Sequence, residues 1–318
     1  MTHTHLFAYT HEDTEKIRLD IFLTERIPGL SRSQVQKLIK AGKVLVNDDQ
    51  PTVHQFLKEG DKIECAFGKD SNTQGSETTR AAQKKHLPKK LDIVAKTDDY
   101  LIINKPAGLL VHPTSSPDTK EITLIDMLLA YDAKLSRIGD DPGRPALVHR
   151  LDRDVSGIMI IPRTFEMFEH LKRQFKLRKT EKSYQAFVYG SIEKDEGEID
   201  FVIGRAVHGG KMAARAKGQE GKKALTTYYV LERFRFVTHI EVQIHTGRTH
   251  QIRAHLLAIG HPIIGDMLYA PKKKPALDVS RLMLHATYLG FHDLQNTWKT
   301  YTVEPPKIFS DFVKKLKS

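Results

Sequence analysis

Between Gly68 and Lys90 the chain is polar, with Leu87 its only large aliphatic residue. Gly, Ser, Thr, Asn and Gln dominate the first half, and Lys84, Lys85, Lys89 and Lys90 crowd the second. Such a stretch buries too little apolar surface to offset the entropy of ordering it. It reads as a flexible tether over residues 68–90, and no single core can run through it. The 318 residues must then divide into a small module ahead of it and a larger one behind, in keeping with a length prior of about two domains. A tether raises the local concentration of the second module on whatever the first one holds. Its basic end suits RNA, and a plain solvated linker accounts for it as well.

The charge narrows the partners. A net charge of +11 and a pI near 9.4 favour a polyanion, either nucleic acid or an anionic membrane. No apolar run approaches the roughly 18–20 residues of a membrane helix. Met1 to Lys16 is polar and His-rich, without the apolar core of a signal peptide. Cys65 is the only cysteine, which excludes an internal disulfide and a cysteine-based zinc cluster. The expectation is a cytoplasmic protein that does not associate with membranes.

In the first module, Leu19, Phe22 and Leu23 have helical spacing. A second helix is predicted from Ser31, where Ser31 and Gln34 have the spacing of a capping box. Val35, Leu38 and Ile39 form its apolar face, and Gly42 stops it. Val44 to Val46 reads as a short strand. Arg32, Lys37, Lys40 and Lys43 share this helix and its exit with no acid among them. A solvated face explains such a run, and so does contact with phosphates, which position a protein without reading sequence. Arg18-Leu19-Asp20, Ser31-Arg32-Ser33-Gln34-Val35-Gln36-Lys37-Leu38-Ile39 and Gly42-Lys43-Val44-Leu45-Val46-Asn47 together resemble the S4 RNA-binding domain, over roughly residues 16–67. The resemblance implies a structured RNA as partner.

In the second module, Leu147-Val148-His149-Arg150-Leu151-Asp152-Arg153-Asp154-Val155-Ser156-Gly157 runs into the aliphatic stretch Ile158 to Ile161. The two apolar runs read as buried strand ends and the charged centre as a turn. Asp152 is thereby held on a fixed connection beside Arg150 and Arg153. From spacing alone, a surface turn with a local ion-pair cluster fits equally well. His149-Arg150-Leu151-Asp152, followed by Val155-Ser156-Gly157, is similar to the active-site motif of the RluA-type pseudouridine synthases. That family usually has Thr where this chain has Val155.

Further stretches carry the same resemblance in order. Asn104-Lys105-Pro106-Ala107-Gly108-Leu109-Leu110-Val111-His112-Pro113 reads as a hairpin whose turn lies under the Asp152 loop. Thr123 is a predicted helix cap, with Leu124, Met127, Leu128 and Tyr131 facing inward. Thr164 is predicted to open a helix with Phe165, Phe168, Leu171 and Phe175 on its buried side. Lys182-Ser183-Tyr184-Gln185-Ala186-Phe187-Val188-Tyr189-Gly190 alternates as a strand. On spacing Tyr184 is an ordinary core tyrosine, and the resemblance makes it an active-site residue. Residues 204–223 carry six cations and one acid, Glu220, and read as a mobile loop clasping RNA or as a solvated loop. His245, His250 and His255 recur every five residues, which does not put helical ligands on one face as H-E-x-x-H does, so no metal site is expected. Thr246-Gly247-Arg248-Thr249-His250-Gln251-Ile252-Arg253-Ala254-His255-Leu256 and Gly260-His261-Pro262-Ile263-Ile264-Gly265-Asp266 resemble the family's third motif. Arg253 stands at the position of its active-site arginine. Leu282 to Ala286 reads as a final strand. Phe291-His292-Asp293 departs from the family's usual His-Pro.

The resemblance covers about residues 91–305 and implies an α+β chain. Its parts are a small S4 domain of the αL type and, over 91–318, a mixed α/β catalytic domain built on a largely antiparallel sheet. The implied reaction moves ribose C1′ from uracil N1 to C5, with no atom gained or lost and therefore no cofactor. A carboxylate suits a glycosidic centre, as nucleophile or anionic stabiliser, and that role falls to Asp152. Arg253 would keep it ionised. Tyr184 would pack on the uracil and serve as base for the C5 proton. Arg150 would fill the gap left by the flipped base, or contact a phosphate. Arg248 joins Arg32, Lys37, Lys40 and Lys43 as an RNA-binding candidate. The expected partner is RNA, of the 23S ribosomal type, met by a monomer. Three alternatives are a transfer RNA substrate, a non-catalytic S4-type assembly factor, and a hydrolase using Ser156. The last lacks the G-x-S-x-G turn of a nucleophile elbow.

Overall fold

The computed structural model describes residues 2–9, 18–27, 32–52, 55–68, 90–113, 121–141, 143–206, 211–269, 277 and 279–317. These gather into two compact units, one before residue 86 and one after it. Nearly all of the expected tether, residues 69–89, lies outside the described residues, as does the Ser31 cap.

The first unit opens with strand β1 (Thr2–Ala8), ahead of the residues 16–67 that resemble the S4 domain. Helices α1 (Leu19–Arg26) and α2 (Arg32–Lys40) follow, then β2 (Val44–Val46) and β3 (Lys62–Gly68). The sheet order is β1-β3-β2, all antiparallel. Leu19, Phe22, Leu23, Val35, Ile39 and Ile63 fill its core. Asp20 is fully buried and accepts from Arg18 Nε at 3.0 Å and Gln36 Nε2 at 2.6 Å, so one carboxylate ties α1 to α2.

The second unit begins with β4 (Ile93–Lys96) and β5 (Tyr100–Lys105). Leu109 and Val111 are buried but form no returning strand, in contrast to the expected hairpin. The carbonyls of Leu110 and Val111 accept instead from Leu124 N and Ile125 N. They satisfy the free amides that open α3 (Leu124–Tyr131). Thr123 caps it in a reciprocal box with Asp126. Tyr131, expected inside, is 41% exposed at the helix end, where Lys96 lies over its ring.

Leu147 to Leu151 is likewise not a strand. Only β6 (Ser156–Pro162) extends, with every residue buried. Next come α4 (Phe165–Leu177), β7 (Glu181–Tyr189) and β8 (Glu196–Ile199). On α4 it is Met167, Phe168 and Leu171 that face inward, while Phe165, in the first turn, stays 56% exposed.

Residues 204–223 are more ordered than a loop. β9 (Val202–Arg205), β10 (Met212–Arg215) and β11 (Lys222–Lys223) make a small antiparallel sheet, with 207–210 outside the described residues. The chain continues through β12 (Thr226–Arg233), β13 (Val237–Ile244) and α5 (Gln251–Ala258). It ends with β14 (Leu284–His292), β15 (Trp298–Thr302) and α6 (Lys307–Lys317).

The main sheet runs β4-β5-β6-β14-β7-β13-β12-β8, with β15 also on β14. Every pairing is antiparallel except β6 with β14, so the sheet is largely antiparallel within an α+β chain. That parallel contact depends on Gly157, whose φ is +123°. A Cβ there would collide with the Ala286 carbonyl and lie 2.6 Å from the Ala286 nitrogen. Among the described residues no helix is long and apolar enough to cross a membrane.

Candidate active site

The Asp152 turn is held from beneath by one buried ammonium. Lys105 donates to Arg153 O at 3.0 Å, Leu109 O at 2.8 Å and Pro106 O at 2.8 Å. Gly108 N donates to the same Arg153 carbonyl, and Val155 N closes the turn on Asp152 O. Lys105 is 1% exposed, and burial lowers its pKa to about 7 against the pull of Asp154. The Pro-Gly turn after β5 therefore does lie under the Asp152 loop.

Arg253 approaches Asp152 from α5. Its Nη1 stands 3.5 Å from Asp152 Oδ2, at the limit of a hydrogen bond. Its Nε and Nη2 grip both oxygens of Asp266, at 2.7 and 2.8 Å. Asp266 also accepts from Leu268 N and Tyr269 N, so its own position is fixed. Burial pulls the guanidinium pKa down, but the hydrogen bonds and charge of Asp266, with Asp152, outweigh it and leave it above its ordinary value.

The start of α5 is locked by Gln251. Its amide donates to Leu225 O and Thr226 Oγ1, and its oxygen accepts from Thr246 Oγ1 and Arg248 N. His250, before it, holds a left-handed conformation at φ +54°. Its Nδ1 meets the Tyr269 hydroxyl at 3.0 Å and its Nε2 lies 3.9 Å from Asp152 Oδ2. Burial keeps this imidazole below its ordinary pKa, although Asp152 resists.

β7 carries Tyr184 into the same place. A cavity of about 70 Å³ is lined by Asp152, Val155, Tyr184, Ile244, Arg253 and Leu284, among others. Burial, and then the Asp152 charge, push the Tyr184 phenol well above its ordinary range. The cavity shares Arg150, Tyr184 and Arg248 with a groove of about 510 Å³. Arg144, Lys176, Arg178 and Lys182 also line that groove, and no carboxylate is among its lining residues. Arg150 is exposed, with Nη1 3.0 Å from His112 Nε2. Arginine only donates, so that nitrogen accepts, and His112 Nδ1 donates to Pro113 O. Arg248 is half-buried and donates to Lys223 O. Lys40 and Lys43 are exposed in the other unit. The side chains of Arg32 and Lys37 lie outside what is described.

The family model for RNA pseudouridylate synthase matches residues 99–258, half of the chain. The chain belongs to the RNA pseudouridylate synthase family. The S4 domain model matches residues 17–63. An RNA pseudouridine synthase of Aquifex aeolicus is 38% identical over 305 residues, covering 93% of this chain and 92% of that one. Ribosomal large subunit pseudouridine synthase D of Nitrosomonas europaea is 38% identical over 280 residues, 86% of this chain and 76% of that one. The solved structure of human RNA pseudouridylate synthase domain containing 1 aligns with a TM-score of 0.54 at 26% identity, over 72% of this chain and 95% of that one. This synthase is thus an isomerase acting on RNA, with an S4 domain ahead of its catalytic fold.

Sequence reasoning singled out Asp152, Tyr184 and Arg253, and the structure gathers all three around one cavity. It missed Asp266, His250, Gln251 and Lys105. Asp266 had a signal: an arginine predicted on a helix between Ile252 and Ala254 needs a buried counter-ion, and Gly265-Asp266 follows within the same motif.

Proposed function

We propose that this synthase converts uridines to pseudouridine in the RNA of the large ribosomal subunit, with Asp152 as nucleophile. The observation that carries the nucleophile is the pairing of Asp152 with a buried guanidinium at the floor of a cavity that also holds Tyr184. The substrate class is supported by the similarity to synthases named for the large ribosomal subunit. The S4 domain holds structured RNA through Arg32, Lys37, Lys40 and Lys43, and residues 68–90 tether it to the catalytic domain over 91–318. The enzyme acts as a cytoplasmic monomer and needs no cofactor.

The flipped uridine enters the cavity while Arg150 stacks in the space it leaves and Arg248 meets the strand beside it. Asp152 attacks C1′, and the C1′–N1 electron pair leaves with the uracil. The base turns, C5 bonds to C1′, and the carboxylate is released. Arg253 stabilises that carboxylate at both ends of the cycle. Tyr184 packs on the ring. A standing phenolate is costly in this site, since burial and Asp152 both oppose it. Tyr184 therefore takes the C5 proton as it passes its own to the regained Asp152 carboxylate, which gives it to water, while N1 takes a proton from water, so that no atom is gained or lost.

The test is to map pseudouridines by carbodiimide labelling and primer extension in cells lacking this gene, complemented with wild type or Asp152→Ala. Large-subunit sites should vanish on deletion and return only with wild type. Sites restored by Asp152→Ala would overturn the nucleophile. Changes confined to transfer RNA would overturn the substrate.

A further inference from the structure

Lys182 sits on β7 two residues before Tyr184, and so shares its face of the sheet. With Arg178, Ile244 and His245 it lines both the 510 Å³ groove and a neighbouring cavity of about 690 Å³. Its ammonium lies 5.3 Å from the centroid of Phe175, whose ring is stacked on His149. Among the described residues no carboxylate pairs with it and no acceptor receives its protons. The groups lining the groove with it do not compensate it, whereas the 690 Å³ cavity includes Glu181, Glu241 and Glu304, of which Glu241 stands opposite Gln185 and so on the other face of the strand. From α4 and the turn after it come Lys176 and Arg178, and from the Asp152 loop come Arg150 and His149, whose imidazole burial holds neutral with a pKa of about 3. The end of β13 adds His245. Glu181, its neighbour, points to the other face of the strand and accepts from the Tyr288 hydroxyl. Burial brings the Lys182 pKa down to about 8.

A half-buried cation without a counter-ion is costly to keep. The groove it lines is continuous with the Asp152 cavity and carries no carboxylate. We infer that Lys182 is an RNA-binding residue whose ammonium takes a phosphodiester oxygen next to the uridine held in the Asp152 cavity. A lysine acts here as a point charge, without the fixed fork of arginine. The inference rests on the RNA-modifying reading of this site and names one phosphate contact within it. The competing role is structural, a cation propping the Phe175 ring.

The test uses the full-length enzyme and a transcript containing a uridine that wild type modifies, with Lys182→Met, Lys182→Arg and Asp152→Asn. Lys182→Met keeps the apolar stem and removes the charge. Its melting temperature should equal or exceed that of wild type, because an uncompensated cation is gone. RNA affinity should fall about tenfold in roughly 0.1 M salt, and the slope of log Kd against log salt should shrink by about 0.7–0.9, the value of one phosphate contact. The loss in turnover should fall on KM rather than kcat, and Lys182→Arg should restore most of the affinity. A lowered melting temperature with unchanged affinity and salt slope would establish the prop and overturn the inference. Weaker binding with an unchanged salt slope would overturn it too. Asp152→Asn separates the two readings, since it should bind RNA as wild type does and form no product. Turnover by Asp152→Asn would sink the nucleophile assignment and leave the Lys182 result standing.

Discussion

Arg253 spends Nε and Nη2 on Asp266, at 2.7 and 2.8 Å, and turns only Nη1 toward Asp152, at 3.5 Å. The guanidinium is therefore anchored by a residue that does not line the Asp152 cavity. Asp266→Ala should leave a buried arginine with only the long Asp152 contact and cost about 3–5 kcal/mol of stability. Asp266→Asn keeps one acceptor and should fold. Its kcat/KM should drop roughly tenfold to a hundredfold as Arg253 loses its orientation. Tritium release from RNA carrying 5-tritiated uridine would measure this, and wild-type turnover by Asp266→Asn would refute the anchoring role.

Lys105 should matter for the same site from below. Lys105→Met removes the donor to three carbonyls, one of them Arg153 O beside Asp152. Hydrogen bonds from charged groups contribute about 1.5–3 kcal/mol each, and the relief of burying the charge offsets part of this. A net loss of about 2–4 kcal/mol is expected, with kcat reduced more than KM. Urea unfolding and steady-state kinetics would check both, and an unchanged kcat would show that the turn holds itself.

Gly157→Ala should be among the most damaging single methyl additions in the chain. The backbone is at φ +123°, and the new methyl meets the Ala286 main chain. Strain and overpacking together should exceed about 3 kcal/mol. Thermal unfolding would show a melting temperature lowered by several degrees, and a wild-type value would mean that β6 and β14 can separate at little cost.

Acid should destabilise the fold through buried neutral imidazoles. Burial lowers the pKa of His149 to about 3, and of His239, His255 and His285 to about 4. The unfolded chain takes up those protons near pH 6.5, while the folded chain does not. Stability is then full above about pH 6.5 and is lost progressively as pH falls from there toward 4 and 3. At pH 5 each group should cost about 2 kcal/mol. Urea midpoints at pH 7 and pH 5 would measure the loss. His255→Leu should narrow the gap between them, because His255 is fully buried, and an unchanged gap would exclude it as a source.

The sequence carried the site residues better than the frame around them. Spacing alone left Asp152 as a surface turn and Tyr184 as a core residue; the resemblance of short motifs named them with Arg253, and the structure brings all three to one cavity. Elements at the edges were harder. The small sheet of β9, β10 and β11 has strands of two to four residues, too short for an alternating pattern to register. Spacing puts Phe165 and Tyr131 inside, because an apolar pattern marks one helical face but not where along the helix its partner ends. Leu109–Val111 and Leu147–Leu151 have the composition of strands. The carbonyls of Leu110 and Val111 go to the start of α3 and that of Leu109 to Lys105 Nζ, which local sequence does not encode. Asp266 was hidden for another reason: its value depends on Arg253 arriving from a different element.

The bond between Ser156 Oγ and His285 Nδ1, 2.7 Å long, spans 129 residues of chain. It lies in the one parallel contact of the main sheet, beside the Asp152 turn. Contacts this distant along the chain form late, after loop closure has been overcome. During synthesis the Asp152 segment therefore emerges long before the strand that seats it. A nascent chain halted before residue 285 carries its S4 domain and Asp152 without the strand that pairs with β6. Such a fragment would occupy RNA without modifying it, and catalytic competence arrives only once β14 has emerged.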